Sequence, residues 1–263
     1  MATTTAATRG GSSVTGVTES VASPVAWRLA TVSGVIQETP RAKTLVLSVA
    51  GWPGHVAGQH VDVRLTAEDG YQTERSYSIA TAPEEPMVAL TVERIDDGEV
   101  SPYLTEELRV GDELELRGPF TSYFVWRKED GGPLLLIAGG SGLVPLMAML
   151  RHRSASSNGV EARLLLSARS VEEVLYRDEL GRMATEDGVD VNYTFTRESP
   201  PDWRGFARRI DAEMLRTVGP SPMGRPRIYV CGPTAFVEQA AELLVKLGHE
   251  PASIRTERFG PTG

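Results

Sequence analysis

A chain of 263 residues with 27 basic and 35 acidic side chains carries a formal net charge of −8, which argues against a general nucleic-acid coat built on a basic stripe. Its 41% apolar content suits a soluble globular protein of one large or two small domains, with a core that needs no disulfide or metal. The single Cys231 excludes a disulfide framework and any iron–sulfur or zinc site built on several cysteines of this chain. The four histidines, at 55, 60, 152 and 249, lack metal-ligand spacing. No apolar run reaches 18 residues, so no membrane span is expected.

Residues 1–23 are dominated by Ala, Thr, Ser and Gly without apolar periodicity, the composition of a disordered tail. They lack the apolar core of a secretory signal, so a cytoplasmic address is expected. From 24 to 129, short runs rich in Val, Leu, Ile and Thr at 25–37, 43–49, 60–65, 75–79, 87–94 and 112–117 alternate with turn signals such as Glu68-Asp69-Gly70. This spacing predicts an antiparallel β-barrel. One short helix is expected at 101–108, capped by Ser101.

Past Asp130-Gly131-Gly132-Pro133 the period changes. Strands are expected at 134–138, 163–167, 189–196, 227–231 and 253–257. Helices are expected between them at 143–153, 171–183, 210–218 and 235–247. Strands alternating with helices of this length predict βαβ units and a doubly wound parallel sheet over 130–263.

Three segments carry chemistry. Gly139-Gly140-Ser141-Gly142 joins a buried strand to a helix, where glycines let the backbone approach a pyrophosphate at the helix N-terminus. Pro145 falls in the first turn, where its missing N–H is not needed. Cys231-Gly232-Pro233-Thr234 forms a second strand-to-helix turn, and open parallel sheets bind ligands outside the carboxyl ends of their strands. Taken alone, Cys231 reads equally as a small buried hydrophobe. Arg75-Ser76-Tyr77-Ser78 places a guanidinium fork, suited to a phosphate, on a strand with Tyr77 on its own face and the serines on the other.

The order Arg75-Ser76-Tyr77-Ser78, Val92-Glu93-Arg94 with Gly98 and Ser101, Gly118-Pro119, Gly139-Gly140-Ser141-Gly142, Cys231-Gly232-Pro233 and Glu257-Arg258-Phe259 resembles the ferredoxin–NADP reductase superfamily. More closely it resembles the flavin-plus-nicotinamide portion of bacterial oxygenase reductases, without their two-iron ferredoxin domain. The resemblance spans residues 25–259. It implies that Arg75 holds a flavin pyrophosphate, that Tyr77 packs on the isoalloxazine and that Ser78 bonds near flavin N5. Ser76, Val92, Glu93, Arg94, Glu99, Val100 and Ser101 would bind the rest of FAD, which the 98–101 turn favours over FMN. Gly140, Ser141, Gly142 and Leu143 would cradle the nicotinamide nucleotide. Cys231, with Gly232 and Pro233, would flank its ring, and Glu257 and Phe259 would lie near the flavin. Ser78, Cys231 and Glu257 are the expected catalytic groups, acting by position rather than as nucleophiles.

Thr196-Arg197 with Arg204, Arg208 and Arg209, and Arg169 upstream, resemble a 2′-phosphate site and favour NADPH over NADH. A solvated basic loop or a docking face is the competing reading. The implied activity takes hydride from NAD(P)H onto FAD and passes single electrons to a separate ferredoxin, flavodoxin or oxygenase component. A flavin or ferric-chelate reductase, and a flavin-binding electron-transfer subunit without independent turnover, are the alternatives. The expected chain is monomeric, binding neither metal, nucleic acid nor membrane.

Overall fold

The computed structural model describes residues 25–120, 123–156 and 159–260; the expected tail at 1–23 lies outside them. The first half is a six-stranded antiparallel sheet. Its strands are β1 (Trp27–Thr39), β2 (Ala42–Val49), β3 (His60–Thr66), β4 (Gln72–Ser78), β5 (Val88–Glu93) and β6 (Glu113–Phe120), in the order β4-β3-β6-β1-β2-β5. The edges approach one another where Ile79, just past β4, bridges Leu90 of β5 and Ala80 N–H donates to Ala89 O at 2.8 Å. Alternation along β1 and β2 turns Ala30, Val32, Leu45 and Leu47 inward, and with Val61, Val63, Leu90 and Leu116 they fill the barrel.

The second half is a parallel sheet of β7 (Leu134–Gly139), β8 (Ala162–Ala168), β9 (Val189–Phe195), β10 (Arg227–Pro233) and β11 (Ile254–Phe259), in the order β11-β10-β7-β8-β9. β7 is buried along its whole length, as a strand covered on both faces must be. The helices are α1 (Leu143–Ser156), α2 (Arg177–Glu186), α3 (Ala212–Val218) and α4 (Thr234–Lys246). Asp211 caps α3 by accepting from Met214 N–H at 2.8 Å. The fold is therefore the expected barrel followed by an α/β unit.

Two local expectations need correction. The helix expected at 171–183 forms only from Arg177, because Tyr176 takes the left-handed conformation at φ 53°. Val171 and Val174 have helical spacing, yet Val174, Leu175 and Tyr176 turn inward and are buried, so tertiary burial overrides the local pattern. Ser101 does not cap the following turn. Its hydroxyl accepts from Ile95 N–H at 3.0 Å, stabilising the preceding loop.

One apolar cluster runs through both halves. Ala42, Ala57, Ala80 and Ala89 of the barrel side pack with Trp126, Leu146, Met149 and Tyr176. The connecting segment is pinned by Tyr229 Oη donating to Val125 O at 2.9 Å and by Trp126 Nε1 donating to Gly131 O at 2.9 Å. Among the described residues no helix is long and apolar enough to cross a membrane.

Candidate functional site

Strand order locates the site. The chain winds outward from β7 through β8 to β9, then returns to the other side of β7 with β10, so β7 and β10 flank the topological switch point. The turns that follow them are packed together through glycines. A Cβ on Gly142 would stand 2.2 Å from the Cys231 carbonyl oxygen, and one on Gly139 would stand 2.9 Å from the Phe236 ring. Gly140 has φ +55° in a tight turn over Gly140–Gly142 that leads into α1. Pro145 lies in the first turn of α1, as expected. Gly140 and Ser141 face an open crevice of about 550 Å³, with Pro233, Phe236 and Phe259 on the same wall. Leu143, at the first position of α1, is buried and its N–H donates to Gly140 O within the turn. Thr39, Pro40, Arg41, Ala42 and Glu93 of the barrel form the opposite wall.

The three expected catalytic residues are drawn together by one that the sequence reading missed. Cys231 and Glu257 lie side by side on β10 and β11. Ser78 lies opposite His60 in the β3–β4 ladder, and His60 Nδ1 faces Glu257 Oε1 at 4.0 Å. His60 Nδ1 and Glu257 Oε2 are both buried without a hydrogen-bond partner. Burial pushes the Glu257 carboxyl up to about 7 and holds the His60 imidazole below its usual range. Burial, then the nearby Glu257 carboxyl, raises the Cys231 thiol well above its ordinary value. That thiol is protonated at neutral pH and is a poor nucleophile. The signal for His60 was available only as a strand partner of Ser78, since a lone histidine in a β-run carries no motif.

The Arg75–Ser78 strand shows the expected split. Tyr77 packs against the barrel core, and burial raises its hydroxyl to about 12. Ser76 Oγ donates to Asp62 Oδ1 at 2.6 Å. The Arg75 guanidinium is half exposed, 3.5 Å from Glu99 Oε2. Val92 and Val100 are core residues, so only their backbone can reach a ligand. Arg94 is held by Asp96 at 2.8 Å and by Glu106.

At the far end of the crevice Thr196 and Arg169 line it with Glu172, Glu173 and Glu198. Arg197 and Arg209 are not among its lining residues. Arg197 N–H donates to Arg169 O at 3.0 Å, and Arg208 is paired with Asp211 at 2.5 Å and Glu213 at 2.9 Å.

These features fit a flavin and a nicotinamide nucleotide. At Gly140 the turn faces open space, with nothing within 4 Å of where a Cβ would stand, and two buried polar atoms have hydrogen-bonding capacity to spare. Residues 42–124 match the model of an oxidoreductase FAD-binding domain, and residues 136–242 that of an oxidoreductase NAD-binding domain. The chain is 31% identical over 208 residues to the glycine betaine monooxygenase reductase subunit of Pseudomonas aeruginosa, covering 78% of this chain and 56% of that one. It thus spans little more than half of that relative. It is 32% identical over 212 residues to ferredoxin–NADP reductase B of Sorangium cellulosum, covering 77% of this chain and 84% of that one. Among solved structures, an Amycolatopsis cytochrome P450 reductase superposes with a TM-score of 0.79 at 27% identity, covering 91% of this chain and 72% of that one. The barrel, the doubly wound sheet with its crevice at the switch point, and these matches together place the chain in the ferredoxin–NADP reductase superfamily of FAD- and NAD(P)-binding oxidoreductases.

Proposed function

We propose that this chain is the FAD-containing reductase module of an electron-transfer system, with a flavin half over 24–129 and a nucleotide half over 130–263. It takes hydride from NAD(P)H onto FAD and delivers single electrons to a separate acceptor, a small redox protein or an oxygenase component. The observation that carries this reading is the meeting of Ser78 and His60 from the barrel with Glu257 and Cys231 from the parallel sheet. The chemistry itself, hydride acceptance and donation, is supplied by FAD and NAD(P)H when bound.

The protein's own residues bind, orient and hold protons. The half-exposed Arg75 fork offers paired donors to a pyrophosphate. Tyr77, seated on the barrel core, presents an aromatic face. Cys231, kept as a neutral thiol by burial, packs without repelling an incoming ring. Glu257, raised to about 7, can hold a proton at Oε2 near neutral pH and release it as the local charge changes. The crevice beyond Gly140 carries three glutamates against one arginine, Arg169, itself 3.8 Å from Glu173. Carboxylates suit a free ribose hydroxyl rather than a 2′-phosphate, so NADH is the favoured donor.

An absorption spectrum with anaerobic NADH and NADPH titrations tests the reading. A flavin spectrum bleached at lower NADH than NADPH is expected; a colourless protein that takes up no added flavin would sink it. Two substitutions refine the assignment. Arg75→Ala should raise the flavin dissociation constant at least about tenfold, the loss of one charge-assisted pair; full flavin content after gel filtration counts against it. Cys231→Ala should retain flavin but slow its reduction by about tenfold or more, because small misplacements of reacting atoms are costly. Unchanged stopped-flow reduction would remove Cys231 from the site.

A further inference from the structure

We propose that Tyr176 is a positioning residue that sets the separation of the two crevice walls by latching the α/β half to the barrel through Thr91. The inference rests on the function proposed above, because the crevice it spans is the nucleotide site of that reading. Tyr176 belongs to neither turn that carries a binding motif. It is a non-glycine residue at φ 53° and ψ 30°, buried to 5% exposure. A left-handed conformation in an aromatic residue persists only where the surroundings hold it.

The surroundings form a closed hydrogen-bonded ring across three barrel strands. Tyr176 Oη bonds Thr91 Oγ1 on β5. Thr91 Oγ1 lies 2.7 Å from Thr44 Oγ1 on β2, and Thr44 donates to Glu38 Oε1 on β1 at 2.6 Å. The other Glu38 oxygen accepts from the Tyr176 backbone N–H at 3.3 Å. The Glu38 carboxylate only accepts, so Thr44 must accept from Thr91, and Thr91 from the tyrosine. Every hydroxyl proton in the ring then has one consistent direction, and Phe at 176 or Val at 91 would break it. On the other face of the ring the Arg151 guanidinium stands 4.8 Å over the Tyr176 ring. Arg151 also donates to Ala80 O of the barrel side at 2.6 Å and pairs with Glu179 at 2.6 and 2.8 Å.

The ring lies directly behind the crevice. Thr39 and Pro40 follow Glu38, Glu93 lies two residues past Thr91, and Leu175 precedes Tyr176; all four line the crevice. A second groove of about 1010 Å³ opens on the other side, lined by Glu38, Thr44, Tyr176 and Arg151. The ring therefore lies between the two grooves, and its members are continuous in the chain with residues that line each of them.

The test compares Tyr176→Phe, Thr91→Val and the double variant in the flavin-loaded protein. Each single variant should keep its flavin and bind the nicotinamide nucleotide with a dissociation constant within about twofold of the parent. Each should lower the limiting rate of flavin reduction about tenfold, since a misplacement of about 1 Å can cost about 10²-fold. The double variant should match the singles, because both remove the same coupling. Amide hydrogen exchange without nucleotide should quicken at 38–44 and 170–177 in all three. A lowered thermal midpoint with an unchanged limiting rate would overturn the positioning role and leave a purely structural one. Unchanged exchange in both segments would overturn the latch itself. The exchange measurement does not depend on turnover, so it separates failure of the latch from failure of the reductase reading.

Discussion

Gly142→Ala is expected to lose about 3 kcal/mol of unfolding free energy, whereas Gly140→Ala, two residues away, loses about 1 kcal/mol. The two glycines are needed for different reasons. At Gly142 a Cβ would sit 2.2 Å from Cys231 O and 2.7 Å from Gly232 N, so backbone must move against backbone in a packed interior. At Gly140 nothing lies within 4 Å of a Cβ, and only the positive φ of +55° opposes a side chain. Because Gly142 holds the β7 turn against the β10 turn, its replacement should also weaken nicotinamide nucleotide binding. Urea unfolding of both variants checks the ranking. Equal losses at the two positions would mean that the turns do not approach as closely as the structure shows.

Glu257→Gln is expected to stabilise the flavin-free protein by about 2–3 kcal/mol at pH 8 and to leave it unchanged below about pH 4. Burial raises the folded carboxyl from 4.5 to about 7. The folded state therefore binds more protons than the unfolded chain between those values, and stability falls as pH rises through that window. Above about pH 7 the full cost of a buried, unpaired carboxylate is present. His60 has the opposite sign: its folded value lies below the usual 6.5, so it costs stability as pH falls past 6.5. Subtracting the variant's pH profile from the parent's isolates the Glu257 contribution. Parallel profiles from pH 4 to 8 would show that Glu257 is not buried as an acid.

Such a cost at Glu257 fits the role proposed for it in the site. A carboxylate on β11, beside a neutral thiol and 4.0 Å from an imidazole without a partner on Nδ1, stabilises nothing in the fold. Strained or under-satisfied groups of this kind concentrate where a protein binds and reacts.

Much of the architecture could be read along the chain. The change from period-two runs to strands alternating with helices announced the barrel and the α/β half, because each periodicity follows from how successive side chains meet one buried face. The glycine turns after 138 and 231 were legible for a related reason: a chain leaving a buried strand for a helix beside a ligand has few residues it can use. The failures were equally local in origin. A helix was expected from 171 and a cap at 101; burial of Val174, Leu175 and Tyr176 decided the first, and the loop amide of Ile95 took the Ser101 hydroxyl in the second.

What the sequence by itself determined is the element order, the two fold types and the glycine turns that line the crevice, all set by burial period and backbone freedom over a few residues. Only the tertiary structure decided that β10 returns beside β7, that His60 meets Glu257, and that Tyr176 closes a ring with Glu38, Thr44 and Thr91. It also left Arg197 and Arg209 outside the crevice lining. The physical reason is that these contacts join segments far apart in the chain. They are selected by packing of one continuous core across both halves, and no local pattern records which distant strand lies alongside.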